Sequence, residues 1–275
     1  MIRLKLSLNN KLLAITRKGP EAKEFSRLVG SQGGKTILLP TIDIMPKDPE
    51  VIEELISILR KGKQNYCAFM SSRAVEVLFN LAEKINKVEE VIFALNSTII
   101  VAIGPKTRSS LIGHGIKVKM MPEEYSSEGL LYLFSRMEND SVEGKTIIIP
   151  RSGKSKDLIR KALSDLGMTV EELFLYDVKT SHINTVWIDF IALLNQKKVD
   201  GIIFTSASTV ESFFEIMLAL SYNTYSLLGN VKAIIAIGPA TSEELRKRNI
   251  KPFEAKEHTI RETFELAKIV LSGNR

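Results

Sequence analysis

The chain has 275 residues, 44% hydrophobic and 25% charged, with 38 Lys and Arg against 32 Asp and Glu for a formal net charge of +6. This composition suits an ordinary soluble globule of about two domains, each able to bury its own core. It excludes a membrane span, since no apolar run approaches ~20 residues, and with one cysteine, Cys67, an internal disulfide. Residues 1–10 lack a signal-peptide pattern, so a reducing, cytoplasmic setting is expected. The sequence pI of about 9.2 favours anionic partners. The charges are mixed, as in Glu243-Glu244-Leu245-Arg246-Lys247-Arg248, which reads as a solvated helix face.

In chain order, short apolar β-branched runs predict strands at 12–17, 35–41, 65–70, 98–103, 116–120, 145–150, 170–176, 200–205, 231–237 and 251–255. Amphipathic stretches between them predict helices at 20–30, 49–61, 73–85, 106–113, 127–138, 155–166, 184–196, 208–220, 240–248 and 259–271. Uninterrupted runs such as Thr98-Ile99-Ile100-Val101-Ala102-Ile103 suit parallel strands covered on both faces. The alternation indicates an α/β fold of βαβ units. Ser126 and Ser127 before Glu128, and Thr259 before Arg261-Glu262, carry helix-start chemistry.

The chain also repeats itself. Ala68-Phe69-Met70-Ser71-Ser72-Arg73-Ala74-Val75 recurs as Ile203-Phe204-Thr205-Ser206-Ala207-Ser208-Thr209-Val210, and Ile103-Gly104-Pro105-Lys106-Thr107 as Ile237-Gly238-Pro239-Ala240-Thr241. A weaker match sets Ala14-Ile15-Thr16-Arg17-Lys18-Gly19 against Ile148-Ile149-Pro150-Arg151-Ser152-Gly153. The offset (238 − 104 = 134) is far too long for a solenoid. It predicts two lobes of one fold, with paired loops lining a common cleft. The extended connectors 40–46 and 176–180 lie one repeat apart and can pair as two strands. The lobes are then discontinuous, 1–40 with 180–275 and 45–175, joined by linkers 41–44 and 176–179. A cut near residue 140 is the simpler alternative, and the residues alone leave both open.

In open parallel sheets, ligands bind beyond the carboxyl ends of the strands. The repeated loops lie there, each opening a helix. Glycine permits close backbone approach, and proline suits the first helical position. Ser71, Ser72, Thr107, Ser126, Ser127, Thr205, Ser206, Ala207, Ser208, Gly238 and Thr241 are therefore candidate contacts for carboxylates or phosphates at helix N-termini. Capping alone also accounts for any one such loop. Arg17 and Arg151 end strands and can hold carboxylates through paired hydrogen bonds, and Arg73 lies in the first serine loop. Tyr176 can donate a proton, although a buried, hydrogen-bonded tyrosine is the commoner outcome.

Other features carry no chemistry. Gly34-Lys35-Thr36 and Gly144-Lys145-Thr146 precede strands and lack the first glycine of a phosphate-binding loop. His114, His182 and His258 have no metal-ligand spacing. Glu123-Glu124 and Glu171-Glu172 read as solvated acidic pairs.

Taken together, Leu38-Leu39-Pro40, Phe69-Met70-Ser71-Ser72-Arg73-Ala74-Val75, Ile103-Gly104-Pro105-Lys106-Thr107 and Pro122-Glu123-Glu124-Tyr125-Ser126-Ser127-Glu128-Gly129-Leu130 form an ordered motif series. It continues with Ile149-Pro150-Arg151, Leu163-Ser164-Asp165-Leu166-Gly167, Tyr176, Phe204-Thr205-Ser206 and Ile237-Gly238-Pro239-Ala240-Thr241. The series resembles the uroporphyrinogen-III synthase family over nearly the whole chain. The resemblance implies two similar α/β lobes, each a five-stranded parallel sheet flanked by helices, joined by a two-stranded linker. It favours the discontinuous division.

It also implies a lyase of tetrapyrrole (haem) biosynthesis. Hydroxymethylbilane, a linear tetrapyrrole with eight carboxylates, would lose water and close to uroporphyrinogen III with inversion of ring D. No metal or cofactor is expected. Nor is nucleic acid or a membrane, and the expected state is a monomer in transient contact with the preceding pathway enzyme. Tyr176 matches the family's linker tyrosine, Thr107 and Thr241 its glycine-loop threonines, and Ser71 its first-loop serine. Met70 departs from the family's usual threonine, and residues 1–10 have no counterpart. A non-catalytic two-lobed binder of a small polyanion would use the same helix ends. A nucleic-acid module would need a basic–aromatic stripe that the chain lacks.

Overall fold

The computed structural model describes residues 6–61, 66–137, 142–153 and 158–272. The elements are, in order, β1 (Leu12–Ile15), α1 (Pro20–Ser31), β2 (Lys35–Leu38), β3 (Ile42–Pro46), α2 (Val51–Lys61), β4 (Tyr66–Phe69), α3 (Ser72–Lys84) and α4 (Val88–Asn96). Next come β5 (Ile99–Ala102), α5 (Pro105–Gly113), β6 (Val118–Met120), α6 (Ser127–Ser135), β7 (Thr146–Ser152), α7 (Leu158–Asp165) and β8 (Thr169–Thr180). The chain continues through α8 (Thr185–Asn195), β9 (Gly201–Phe204), α9 (Ala207–Ala219), α10 (Thr224–Leu228), β10 (Ala233–Ala236), α11 (Pro239–Arg246), β11 (Phe253–Glu254) and α12 (Ile260–Ser272).

These elements form two compact units, Met1–Asp43 with Lys179–Arg275, and Ile44–Val178. The first holds a five-stranded sheet of order β11-β10-β9-β1-β2, and all its pairings are parallel. One face packs Trp187, Phe190, Phe204 and Phe213; the other packs Leu13, Phe25, Ile203 and Phe264. Burial on both faces explains why the strand residues carry continuous apolar runs rather than alternation.

The second unit holds a six-stranded sheet of order β3-β8-β7-β4-β5-β6. Phe69, Leu78 and Ile148 lie on one side, and Phe134, Ile147 and Leu163 on the other. Its helices are built conventionally. α2 buries Ile52, Leu55, Ile56 and Leu59, a single stripe at helical spacing.

The repeat is visible strand by strand. β1 pairs with β9 through Leu13 and Gly201, and β7 with β4 through Ile147 and Tyr66. β1 pairs with β2 through Leu12 and Lys35, and β7 with β8 through Thr146 and Thr169. The β1–β2 register recurs in β7–β8 at an offset of 134 (169 − 35), and the β1–β9 register recurs in β7–β4 with β9 and β4 offset by 135 (201 − 66). The two sheets therefore share one strand order, although the chain enters them at different points.

Three features differ from the sequence expectation. A sixth strand, β3, edges the second sheet, where five strands were expected. Lys47 donates to the Leu175 carbonyl at 2.9 Å and Ser181 to the Thr41 carbonyl at 2.9 Å, so β3 runs antiparallel to β8. The two connectors thus pair with each other as two strands, as expected, because their backbone groups need partners, and β3 extends the sheet at its edge. Two further helices, α4 and α10, fill stretches read as connections. α4 buries only Val91, Ala94 and Leu95 and leaves Phe93 71% exposed, so its helical stripe is too faint to read. Finally, Glu172 is not solvated. Its side chain is 4% exposed, because it is ion-paired to Arg151 on the adjacent strand. The expected starts at 65 and 155, and the end at 138, lie outside the described residues.

Candidate functional site

In an open parallel sheet, the crevice for a ligand opens where the strand order reverses. That point lies between β1 and β9 in the first unit and between β4 and β7 in the second. The loops that follow β1, β9 and β4 carry Arg17, Thr205–Ser208 and Ser71–Arg73, and Arg151 lies near the end of β7. Thr107, Ser126, Ser127, Gly238 and Thr241 follow the neighbouring strands β5, β6 and β10.

In the second unit, Ser71 follows β4 and caps α3, its Oγ accepting from the Ala74 N–H at 3.2 Å. Arg73, in the first turn of α3, pairs with Glu76 at 3.1 Å. Tyr176 lies on β8, 7% exposed. Its position depends on an irregularity. Arg151 pairs with Phe174 but the next residue, Ser152, pairs with Tyr176, so β8 carries one extra residue there. A bulge reverses the alternation of faces. Leu173 and Leu175 face the cluster beneath α3, and Tyr176 joins that same cluster instead of the opposite face.

Burial raises the Tyr176 phenol above its ordinary value, opposed by the Ser71 hydroxyl and by the charges of Arg73 and Arg151. The phenol therefore stays protonated at neutral pH. Arg151, 12% exposed, is bound to Glu172 at 2.6 Å, and Arg160 lies 3.7 Å from the same carboxylate.

In the first unit, Ser206 caps α9 through a reciprocal box with Thr209. Ser208 lies 3.0 Å from Ser206, so both hydroxyls are occupied locally. The Thr205 hydroxyl differs: the residue is 5% exposed and its Oγ1 has no hydrogen-bond partner among the described residues. An unpaired buried hydroxyl at the end of a strand is costly and suits a ligand. Arg17 pairs with Glu21 one turn into α1.

The Gly-Pro loops behave alike in both units. Gly104 and Gly238 occupy the N-cap positions of α5 and α11 with no side-chain cap, and proline opens each helix. Backbone N–H groups there are directed outward at the positive helix end. Thr107 and Thr241 are each 3% exposed and lie on the inner side of these helices. A side chain there would be tight against what sits above it. A Cβ at Gly104 would meet Tyr125 at 3.2 Å, and one at Gly238 would meet His258 at 3.0 Å. Ser126 caps α6 through the Gly129 N–H at 3.0 Å, while Ser127 is exposed.

Sequence reasoning missed the carboxylates that hold these arginines, Glu21, Glu76 and Glu172. Spacing signals the first two, at i+4 and i+3 from their arginines. Nothing local signals Glu172, 21 residues from Arg151. Among the described residues, no helix is long and apolar enough to cross a membrane.

Comparison with known proteins assigns this arrangement to a family. The family model described as uroporphyrinogen-III synthase HemD matches residues 23–265. A putative uroporphyrinogen-III synthase of Methanothermobacter thermautotrophicus is 28% identical over 254 residues, 91% of this chain and 94% of that protein. The uroporphyrinogen-III synthase of Chlorobaculum parvum is 26% identical over 242 residues, 88% of this chain and 91% of that one. Among solved structures, a mutant uroporphyrinogen III synthase from Thermus thermophilus superposes with a TM-score of 0.66 at 19% identity, covering 95% of this chain and 98% of that chain. The Helicobacter pylori enzyme superposes at 0.55 and 20% identity, with 94% and 98% covered. At these identities the structures establish the shared α/β fold. The match over 23–265 establishes that the chain belongs to the uroporphyrinogen-III synthase family, cyclising enzymes of the lyase class in tetrapyrrole biosynthesis.

Proposed function

We propose that this chain closes hydroxymethylbilane to uroporphyrinogen III, with Tyr176 as the proton donor and the strand-end loops of each unit as carboxylate binders. The observation that carries the reading is the buried, protonated Tyr176 phenol at the β8 bulge, beside the Ser71 loop. The terminal hydroxymethyl C–O bond breaks as its oxygen takes the phenolic proton and leaves as water. The electron-rich pyrroles stabilise the resulting cation. The substituted end of ring D then bonds to that carbon, and rearrangement through a spirocyclic intermediate inverts the ring. The proton lost as the last pyrrole regains aromaticity restores the phenol.

The substrate is reactive and closes unaided to the unrearranged isomer. The protein's task is then to fold the chain and choose one carbon, which is catalysis by positioning. Eight carboxylates need many donors. The loops supply uncapped helix N-termini at Gly104 and Gly238, the Thr205 hydroxyl, and the basic groups Arg17, Arg73 and Arg151. The reading includes the discontinuous lobes, a cytoplasmic setting and a monomeric state.

The test is the isomer produced. Hydroxymethylbilane generated in situ is incubated with the purified chain, oxidised, and resolved by chromatography. Predominant type III product is expected. Type I alone, at the rate of the uncatalysed control, would refute the proposal in favour of a polyanion binder.

A further inference from the structure

Glu172 is a buried carboxylate that this mechanism does not use. It is 4% exposed, with Oε1 2.6 Å from Arg151 Nη1 and Oε2 3.7 Å from Arg160 Nη1. Removing a carboxylate from water is unfavourable unless it is paired, so its placement calls for a reason. In the register of the sheet Glu172 stands opposite Ile149, two residues before Arg151 on β7. Arg151 ends that strand beside β4, at the strand-order reversal of the second unit.

A guanidinium on a long stem loses considerable rotamer freedom when it is held in one place. Glu172 supplies that hold from the rigid sheet, through one Nη, and leaves the other donors of the fork for a ligand. The trio of Arg151, Arg160 and Glu172 keeps one net positive charge. A further carboxylate is therefore attracted, whereas a neutral pair would not attract one.

The repeat sharpens the point. Arg17, the counterpart of Arg151, takes its carboxylate from Glu21, four residues on, in the first turn of α1. Through the matched registers Ile15–Leu38 and Ile149–Glu172, the counterpart of Glu172 is Leu38. Glu172 thus belongs to one unit alone, on the same strand as Tyr176.

We infer that Glu172 is a positioning residue, fixing the Arg151 guanidinium so that its remaining N–H groups receive a carboxylate of the tetrapyrrole. This rests on the proposed function, and its test separates the two. Uroporphyrin III, the stable oxidised product, is titrated by fluorescence against the wild-type chain, E172Q, R151Q and the double variant. Isomer assays run alongside.

E172Q is expected to bind about tenfold more weakly, the scale of a charge-assisted hydrogen bond, with KM raised in proportion and kcat held within about twofold. R151Q is expected to lose at least as much. The double variant should bind no more weakly than R151Q, because Glu172 acts only through Arg151. E172D, which keeps the charge but shortens the reach, gives a second reading at lower risk to folding; a loss of about threefold is expected. Wild-type binding by folded E172Q or E172D would overturn the inference. So would a loss from E172Q that persists undiminished in the R151Q background. Unrearranged product from the wild-type chain, with the binding cycle as expected, would overturn the activity and leave the positioning role supported.

Discussion

Tyr176→Phe separates the chemical role of the phenol from its packing. The ring is part of a buried cluster with Leu173, Leu175 and Ile148, and phenylalanine preserves all of that contact. What is lost is one hydroxyl and its interaction with the Ser71 side chain. Ser71 keeps its cap on the Ala74 N–H at 3.2 Å. The stability change should therefore be about 1 kcal/mol, the net value of one hydrogen bond, and thermal unfolding should move by no more than about 4 °C.

The kinetic effect should be larger. A positioned general acid contributes about 10²-fold or more when its proton is indispensable. Hydroxymethylbilane ionises readily, and water can deliver the proton, so about a tenfold fall in kcat is expected, below that range. The pH dependence adds a separate check. Burial raises the phenol, so the protonated form persists from pH 6 to beyond the ordinary tyrosine value of about 10. Any Tyr176-linked loss of activity must lie on the alkaline side, and Tyr176→Phe should abolish that limb while leaving the neutral range flat. Stopped-flow analysis of type III product measures both. A folded Tyr176→Phe enzyme with wild-type kcat and an unchanged alkaline limb would remove the phenol from the mechanism.

Three further outcomes concern the framework. Asp200 accepts from the Leu12 N–H at 3.0 Å and pairs with Lys232 at 2.7 Å. Burial acts to raise its carboxyl, but Lys232, the Leu12 N–H and Lys11 together hold it below its ordinary value. A depressed carboxylate stabilises above its unfolded value and loses that contribution as pH falls through the folded one. Asp200→Asn should thus cost about 2 kcal/mol at pH 7, with the gap to wild type narrowing below about pH 4; equal gaps in urea denaturation at pH 7 and pH 3 would count against this. A Cβ at Gly129 would lie 2.0 Å from the Glu124 carbonyl oxygen, so Gly129→Ala should lose about 1–3 kcal/mol. Gly113→Ala, with nothing within 4 Å at the end of α5, should gain about 0.5 kcal/mol, and the reverse order in thermal melts would contradict the packing argument. The buried Cys67 thiol is pushed up by desolvation, so it should resist iodoacetamide in the native state and react fully in urea. Fast native labelling, read by mass spectrometry, would show that the core opens.

Much of the architecture was legible because the repeat and the strand runs are local facts. Parallel strands buried on both faces must be continuously apolar, and helices between them must carry one apolar stripe, so α/β order follows from period alone. The Gly-Pro loops were legible because glycine followed by proline at the first helical position is a local helix-start signal. The family motifs added what periodicity lacks, the substrate and the reaction.

What sequence could not determine lies in contacts between distant residues. The β8 bulge turns Tyr176 to the face of α3, against the alternation that its neighbours Leu173 and Leu175 predict. Glu172 reads as half of a solvated acidic pair until β7 brings Arg151 beside it. The caps made by Ser71 and Ser206 are local and were one of the two readings of those loops, whereas the burial of the Thr205 hydroxyl without a partner is visible only in the fold. The repeat determined that two similar sheets would form and which loops would open their helices. Only the tertiary structure decided which of those groups are already paired, because it brings together residues such as Arg151 and Glu172, 21 apart in sequence.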